Sequence, residues 1–363
     1  MSNAVPVTKA LVPDRGEYLR HLDTILASHS LTNNGPLCRK LEQELAVYLH
    51  TPRLALCSNG TSALQLALHA AGLAGKRVMT APFSYVATVS ALLWVGCDVV
   101  FADIDEETLC LDPASVTERM TPDTAGLLPV HMYGNICDVD ALADIAGESG
   151  VKPLVIYDAA QCFGSVFRGK SVLEYGDYAV CSFHATKVFH TVEGGCVIAH
   201  TPEALEALTL LRACGHRGDE HILLGINAKL SEVHAAVGLS LLDRVADNIA
   251  GRAKVSAMYD ALLPAQGLRR PNQREGLEYN YAYYPVMFED EKTLLRVVER
   301  LNAKNIFPRR YFYPALNTLP YLKARQTCPV AESIAPRILC LPLYSGLEDA
   351  LIEKIVRVIA QTL

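Results

Sequence analysis

The sequence lacks the features that mark several common protein classes. Its eleven cysteines include no CxxC pair, which disfavours a zinc site or a disulfide framework and predicts buried, reduced thiols. The 33 lysines and arginines are scattered and the net charge is −6, so we predict no nucleic-acid partner. The longest apolar stretch, residues 86–97, is interrupted by Thr88, Ser90 and Gly96 and is too short to cross a membrane. Because no charged-then-apolar pattern opens the chain, we expect a cytoplasmic protein without a membrane partner.

Nicotinamide, nucleotide and metal motifs are either missing or out of context. The chain has neither GxGxxG nor a Tyr-x-x-x-Lys pair, which disfavours a nicotinamide oxidoreductase. Residues 164–171 match GxxxxGK[ST], but they neither leave a strand directly nor open a helix, as a nucleotide phosphate loop must. Residues 168–170 instead predict a tight turn between two short extended pieces. The histidine pair His184 and His190 has no neighbouring cysteine or matched second pair, so we predict no metal site.

What is present is the composition and rhythm of an α/β protein. The 363 residues are 50% hydrophobic and 20% charged, which is typical of a globular protein with more than one domain. Asp112-Pro113 and Thr201-Pro202 each predict a helix start, and Gly215 predicts the end of the second helix. Strands that alternate with helices predict a mostly parallel, seven-stranded sheet with helices on both faces. The predicted strands are residues 54–57, 77–80, 99–102, 126–130, 154–157, 178–182 and 195–199.

The chain after this sheet has a different pattern. A long helical pattern covers residues 230–250, and no repeat, low-complexity tract or linker follows it. We therefore predict a large unit at residues 1–250 and a smaller α+β unit at residues 251–363. The elements predicted in the smaller unit are residues 281–287, 291–304, 338–341 and 348–359.

Lys187 and Asp158 are the candidate catalytic residues. Asp158 ends one predicted strand, and Lys187 follows the end of another that closes at Ser182. Open α/β sheets bind ligands at this carboxyl edge. A lysine amine can hold pyridoxal phosphate as a Schiff base, while a carboxylate keeps the pyridine nitrogen protonated so that the ring accepts electrons. The alternative for an isolated lysine is an ordinary surface position.

The segment after the first strand of this sheet predicts an anion site. Gly60, Thr61 and Ser62 open an amphipathic helix, and amides at a helix start can donate to a phosphate that the helix dipole also favours. Ser182, at the same sheet edge as Lys187, offers another hydroxyl. Alternatively, the segment is a capped helix start that binds nothing.

Seven motifs together resemble the DegT/DnrJ/EryC1/StrS family of sugar aminotransferases, over residues 31–344. In this sequence they read Ser58-Asn59-Gly60-Thr61-Ser62-Ala63-Leu64, Tyr85-Val86-Ala87-Thr88, Pro129-Val130-His131-Met132-Tyr133-Gly134, Asp158-Ala159-Ala160-Gln161, Ser182-Phe183-His184-Ala185-Thr186-Lys187, Glu193-Gly194-Gly195 and Asn227-Ala228-Lys229-Leu230-Ser231-Glu232. The resemblance implies fold type I of the pyridoxal-phosphate-dependent transferases. It also implies a homodimer with shared active sites that moves an amino group from L-glutamate to a nucleotide-linked keto sugar.

The resemblance assigns roles to individual residues. Lys187 would hold the cofactor and shift protons, a task suited to an amine whose pKa is lowered by its surroundings. Tyr85 would stack on the cofactor ring, although a core-facing position is the alternative for a tyrosine. Asn227 would reach the phosphate of the partner subunit's cofactor. The full set of implied cofactor contacts is Gly60, Thr61, Ser62, Tyr85, Asp158, Gln161, Ser182, Lys187 and Asn227, and that of implied substrate contacts is Asn33, His184, Lys229 and Tyr313.

Departures from the family pattern concern the substrate side. Lys229 stands where relatives often carry arginine, so a bidentate grip on a diphosphate would become a point charge. His190 stands where many relatives have asparagine. Ser-Phe-His before the lysine and Glu-Gly-Gly after it resemble members that aminate C4. We therefore expect a 4-keto-6-deoxyhexose carried by dTDP, UDP or GDP as acceptor, and a 4-amino-4,6-dideoxy sugar for surface polysaccharide (O-antigen) as product.

Three alternatives stay open at the level of sequence. The first is an aminotransferase acting on C3 of a 3-keto sugar. The second is a sugar dehydratase of the same fold, whose members replace the lysine with histidine, so that Lys187 counts against it. The third is a cofactor-binding regulator without turnover, which is disfavoured because every catalytic position is occupied.

Overall fold

A seven-stranded sheet forms the centre of the computed structural model, which describes residues 4–263 and 267–363. The remaining residues of the two predicted units, 1–3 and 264–266, lie outside the described residues. The strands are β1 (Leu54–Cys57), β2 (Arg77–Thr80), β3 (Asp98–Phe101), β4 (Thr124–Leu128), β5 (Leu154–Asp158), β6 (Tyr178–Ser182) and β7 (Gly195–Ala199). Their order is β1-β7-β6-β5-β4-β2-β3, and β7 alone runs antiparallel to its neighbours within this sheet. The predicted mostly parallel α/β fold is confirmed.

Twelve α-helices accompany the strands over the described residues. They are α1 (Arg15–Ser28), α2 (Pro36–Tyr48), α3 (Gly60–Ala70), α4 (Ala87–Trp94), α5 (Pro113–Arg119), α6 (Val139–Glu148), α7 (Pro202–Leu211), α8 (Glu232–Leu242), α9 (Val245–Leu262), α10 (Glu291–Asn302), α11 (Pro329–Ile334) and α12 (Asp349–Ala360). The predicted starts of α5 and α7 are confirmed, because Asp112 and Thr201 accept hydrogen bonds from amides in the first turn. Gly215 lies beyond the last residue of α7, Leu211, but it has a φ of 72° and its amide donates to the carbonyl of Leu210 in the last turn at 2.8 Å.

The long helix predicted at residues 230–250 is two helices. Helix α8 ends at Leu242 and α9 begins at Val245. At the break, the Arg244 guanidinium donates to the carbonyl of Val12 at 2.6 Å. No glycine or proline marks this bend, so the continuous helical pattern did not reveal it.

The GxxxxGK[ST] match is a hairpin. Val166–Phe167 pairs antiparallel with Lys170–Ser171. The two turn residues, Arg168 and Gly169, have φ values of 51° and 74°, as a tight hairpin turn requires. The predicted turn is confirmed, and the segment has no helix to support a phosphate.

A second hydrophobic cluster lies beside the sheet core. Strands β8 (Tyr284–Met287) and β9 (Ile338–Leu341) form an antiparallel pair, and α9, α10 and α12 contribute to this cluster. Val5, within the range predicted for the large unit, packs in this second cluster, and residues 5–6 pair in parallel with Ile306–Phe307. Among the described residues, no helix has the length and apolar character needed to cross a membrane.

All eleven cysteines are free thiols, as expected from their spacing. Ten are buried, but Cys214 is exposed, so the expectation of burial is wrong at that position.

Candidate active site

Asp158 ends β5 as a buried carboxylate held by neutral donors. One oxygen, Oδ2, accepts from the Thr88 hydroxyl at 2.8 Å, and Oδ1 accepts from the Ala160 amide at 3.1 Å. Within the described residues no cationic group pairs with it at salt-bridge distance. Burial raises the pKa of this carboxyl above its ordinary value, against the lowering effect of both hydrogen bonds and of Lys187. Asp158 is therefore a buried carboxyl group that, within the described residues, is contacted directly by neutral donors only.

Lys187 lies in the loop that follows β6, with its amine directed into the protein. Its Nζ donates to the Tyr283 hydroxyl at 3.2 Å, and both side chains line a small cavity with Gln161. Burial acts to lower the pKa of the Lys187 amine, but Tyr283 and Asp158 offset it and hold that pKa above the ordinary value. The lowered pKa expected from the sequence is wrong for the chain on its own.

The predicted anion site is partly as expected. The first two amides of α3, on Gly60 and Thr61, have no acceptor within their own helix. A Cβ at Gly60 would lie only 2.9 Å from the Cβ of Ser182, so glycine is what allows the helix start to approach β6. The structure thereby brings Gly60 and Ser182 together across two strands that are far apart in sequence.

Ser62 corrects the expected donor set. Its amide donates to the Asn59 side chain at 2.8 Å, and Asn59 is thus the cap of α3. The Ser62 hydroxyl lies 3.1 Å from the hydroxyl of Ser58 and donates to the carbonyl of Asn59 at 2.9 Å. The Ser62 amide is therefore not free for a ligand, and the free donors of this turn are the amides of Gly60 and Thr61.

Two further predicted cofactor contacts are Tyr85, which is exposed, and Gln161, which is buried. Tyr85 is 58% exposed and packs at a tilt against Phe312, with ring centroids 6.1 Å apart. The core-facing alternative for Tyr85 is therefore wrong. Gln161 is buried, and its Oε1 accepts from the amide of Tyr133 at 2.7 Å.

The motif that contains Asn227 and Lys229 touches the anion site through its backbone. The carbonyl of Ala228 accepts from the amide of Ser58 at 2.7 Å, immediately before α3. The side chains point elsewhere, because the Lys229 ammonium donates to Asn227 Oδ1 at 2.7 Å on the exposed side.

The remaining predicted substrate residues are peripheral. Asn33 lies in an exposed turn with a φ of 62°. His184 is exposed, and its ring bonds the Thr186 hydroxyl at 2.8 Å and lies 3.6 Å from Glu193. Tyr313 is half exposed beneath the Arg310 guanidinium, 3.5 Å from the ring centroid. Among the described residues, no hydrogen bond joins any of these three side chains to the Lys187 amine, whose partner is Tyr283.

His190 has a structural explanation. Its Nε2 bonds the carbonyl of Leu11 at 2.8 Å, and its Nδ1 accepts from the amide of Val192 at 3.2 Å. The side chain therefore ties the loop that carries Lys187 to the N-terminal segment.

Two site residues were missed in the sequence, Thr88 and Tyr283. Thr88 is the second residue of α4 and stands three residues after Tyr85, which is about one helical turn. Tyr283 belongs to the tyrosine-rich segment 279–284, and we predicted residues 281–287 only as an element of the smaller unit. A cluster of tyrosines is a signal for a site, but only the fold shows which one meets the lysine.

Comparisons with known proteins show the family to which this chain belongs. Residues 14–360 match the DegT/DnrJ/EryC1/StrS aminotransferase family. The chain is 39% identical, over an alignment of 368 residues, to dTDP-4-amino-4,6-dideoxy-D-glucose transaminase of Shigella dysenteriae, covering 99% of this chain and 100% of that protein. It is 33% identical to the UDP-2-acetamido-2-deoxy-3-oxo-D-glucuronate aminotransferase of Pseudomonas aeruginosa, covering 88% and 89%. The solved structure of DesI in the presence of its TDP-sugar product superposes with a TM-score of 0.92 at 32% identity, covering 99% and 93%.

Proposed function

Because the chain belongs to the DegT/DnrJ/EryC1/StrS aminotransferase family, we propose that it is a cytoplasmic, pyridoxal-phosphate-dependent aminotransferase that moves an amino group from L-glutamate to a nucleotide-linked keto sugar. One observation carries this proposal. The buried Asp158 carboxylate ends β5, and the inward-directed Lys187 amine lies in the loop after β6, the adjacent parallel strand, so both groups stand at the same edge of the sheet.

The residues present fit pyridoxal phosphate at both ends of its ring. The Asp158 carboxylate would pair with the protonated pyridine nitrogen, which supplies the cation that this site lacks. The amides of Gly60 and Thr61 and the hydroxyl of Ser182 would hold the phosphate at the helix N-terminus. Gly60 also supports the fit, since any side chain there would collide with Ser182.

When bound, the cofactor supplies an electron sink for the substrate carbon that gains or loses a proton. The chain's own residues do the rest. Lys187 holds and moves the proton at Nζ, Thr88 fixes the carboxylate of Asp158 through its hydroxyl, and Tyr85 would cover the ring from its exposed position. Gln161, whose Oε1 accepts from the Tyr133 amide, would lie near the phenolic oxygen of the cofactor.

For the acceptor, we propose a 4-keto-6-deoxyhexose and therefore a 4-amino-4,6-dideoxy product. The relative from Shigella dysenteriae is named for a sugar of this kind, and Ser182-Phe183-His184 agrees with it. The relative from Pseudomonas aeruginosa is named for a 3-oxo sugar, so C3 is the alternative to test. Incubation with glutamate and a panel of nucleotide keto sugars, followed by NMR of the new C–N bond, would distinguish the two carbons. An amine found at C3 would reject the C4 proposal.

We further propose a homodimer. Trp94 and Leu224 are 83% and 84% exposed, although side chains of this size are usually covered. They line one open groove with Ile226 and with Thr61 of the anion site. A second copy on this groove would cover these side chains and approach the cofactor phosphate, as Asn227 requires for its proposed role.

Borohydride reduction of the cofactor-loaded protein, followed by peptide mass mapping, tests the cofactor assignment. We expect a pyridoxyl adduct on Lys187 and none in Lys187→Ala, which should also lose transamination. Lys170, exposed in the hairpin, is the matched control lysine, and Lys170→Ala should label like the wild type. Loaded protein with an unmodified Lys187 would reject the proposed function.

A further inference from the structure

The Tyr283 hydroxyl is the hydrogen-bond partner of the Lys187 amine within the described chain. The two atoms lie 3.2 Å apart. The amine also lies 5.7 Å from the centroid of the tyrosine ring, so the contact is made through the hydroxyl. Tyr283 comes from the segment before β8, far from Lys187 in sequence.

Tyr283 is held in place from several directions. Its backbone carbonyl accepts from the Tyr279 hydroxyl at 3.4 Å, and the same hydroxyl donates to the carbonyl of Tyr133 at 2.7 Å. Its ring packs against those of Tyr133 and Tyr311, each with a centroid distance of 5.6 Å. The hydroxyl is thus presented by a fixed ring rather than by a mobile side chain.

Arg252 fixes the backbone on which this ring stands. Its side chain is 1% exposed, and within the described residues its guanidinium donates only to neutral acceptors. It donates to the carbonyls of Tyr281 and Ala282 at 3.4 and 3.2 Å, and to the carbonyl of Leu343 at 3.3 Å. A buried arginine that pairs only with neutral acceptors is costly, which indicates a positioning role for the segment that leads into Tyr283.

A phenol can bind an amine in either protonation state. Its oxygen accepts from an ammonium, and its O–H donates to the lone pair of a neutral amine. We propose that Tyr283 is a further catalytic residue, which receives the Lys187 amine whenever that amine is not covalently engaged, and that Arg252 positions it. This inference rests on the proposed function, because an aminotransferase releases its lysine from the cofactor in every catalytic cycle.

The test uses cofactor-free protein, so its outcome is separate from that of borohydride trapping. The rate at which an amine-acylating reagent labels Lys187 is measured against pH by peptide mass spectrometry. The other titratable groups that face the amine are Asp158, Cys162, Cys181 and Tyr311, and they stay unchanged in Tyr283→Phe. The bond to the ammonium is charge-assisted and therefore stronger than the bond to the neutral amine, so losing the hydroxyl should move the midpoint of the profile down by on the order of one pH unit. A change in reagent access would alter the plateau rate instead.

Tyr311→Phe is the matched control, since its ring packs against Tyr283 but its hydroxyl makes no bond to the amine. It should leave the midpoint unchanged. Arg252→Lys cannot reach all three carbonyls and should move the midpoint in the same direction as Tyr283→Phe, but less. An unchanged midpoint in Tyr283→Phe overturns the catalytic role, and an unchanged midpoint in Arg252→Lys overturns the positioning role.

Discussion

The Asp158 carboxyl group must be ionised for its proposed role, but its buried location opposes ionisation. Burial disfavours the ionised carboxylate, while the Thr88 hydroxyl and the Ala160 amide favour it. A bound pyridinium would add the missing counter-charge. At the scale of single residues, Asp158 is thus the group that would bind a cation at this site.

We expect Asp158→Asn to retain the cofactor but lose turnover by at least about 100-fold, since the ring nitrogen would no longer be kept protonated. Turnover and cofactor absorbance are measured on the same sample. Asp177→Asn is the control, because Asp177 accepts only from the Val155 amide near the other end of β5. Near-normal turnover in loaded Asp158→Asn would contradict the electron-sink role.

His131 gives a pH prediction. It is fully buried on Tyr157, with its Nδ1 accepting from the amide of Cys137, and burial lowers its pKa to about 3. The unfolded chain, with an ordinary pKa near 6.5, binds the proton more readily. The stabilisation is therefore complete above about pH 6.5 and is lost towards pH 3, by about 1.4 kcal/mol per pH unit.

His131→Asn keeps an acceptor but cannot titrate. We expect its free energy of unfolding, measured by denaturant from pH 4 to pH 6, to vary less steeply by about that slope. The exposed His216→Asn should follow the wild type. Parallel curves for His131→Asn and the wild type would show that His131 is not buried as the neutral ring.

At the scale of elements, α2 is capped from another helix. Gly35 provides no side chain for the first amides of α2, and the buried Glu232 at the start of α8 accepts from those of Leu37 and Cys38 at 2.7 and 2.9 Å. A Cβ on Gly35 would lie 2.6 Å from the Glu232 carboxyl carbon. Glu232, the last residue of the Asn227–Glu232 motif, therefore has a structural role as the cap of α2.

Glu232→Gln should lower the free energy of unfolding by about 1–3 kcal/mol, since an amide can accept only one of the two bonds and leaves a buried donor facing another. Equilibrium denaturation measures this loss. Glu353→Gln, at an exposed position of α12, is the control and should unfold like the wild type. Equal stability of the two variants would mean that Glu232 is not the cap.

Local sequence patterns predicted most strands of the sheet and three candidate site residues at its carboxyl edge. Strand-end positions identified Lys187, Asp158 and Ser182, because the carboxyl edge of a parallel sheet follows from the order of strands. Contacts such as Tyr283 with Lys187 could not be predicted, since they depend on how a distant segment packs. Asn59 caps α3 by accepting a hydrogen bond from the Ser62 amide. This bond depends on the rotamer of the Asn59 side chain, which no sequence pattern specifies.

At the scale of the whole molecule, the proposed dimer predicts that Leu224→Arg yields monomers. A buried charge in an apolar interface costs several kcal/mol, so the variant should sediment as a monomer at about micromolar concentration and should bind the cofactor more weakly. Phe307→Arg, at a half-exposed apolar position outside the groove, should remain dimeric. A monomeric wild type, or a dimeric Leu224→Arg, would remove this groove as the interface.

The N-terminal segment runs between the two hydrophobic clusters before α1 begins. Val5 pairs with Ile306 beside the second cluster, and Leu11 bonds His190 near the loop of Lys187. Shortening the protein by its first dozen residues would thus remove an edge strand at one end and loosen the lysine loop at the other. A purification tag added ahead of residue 4 would keep the Val5–Ile306 pairing and the Leu11–His190 hydrogen bond, whereas a start after residue 12 would remove both.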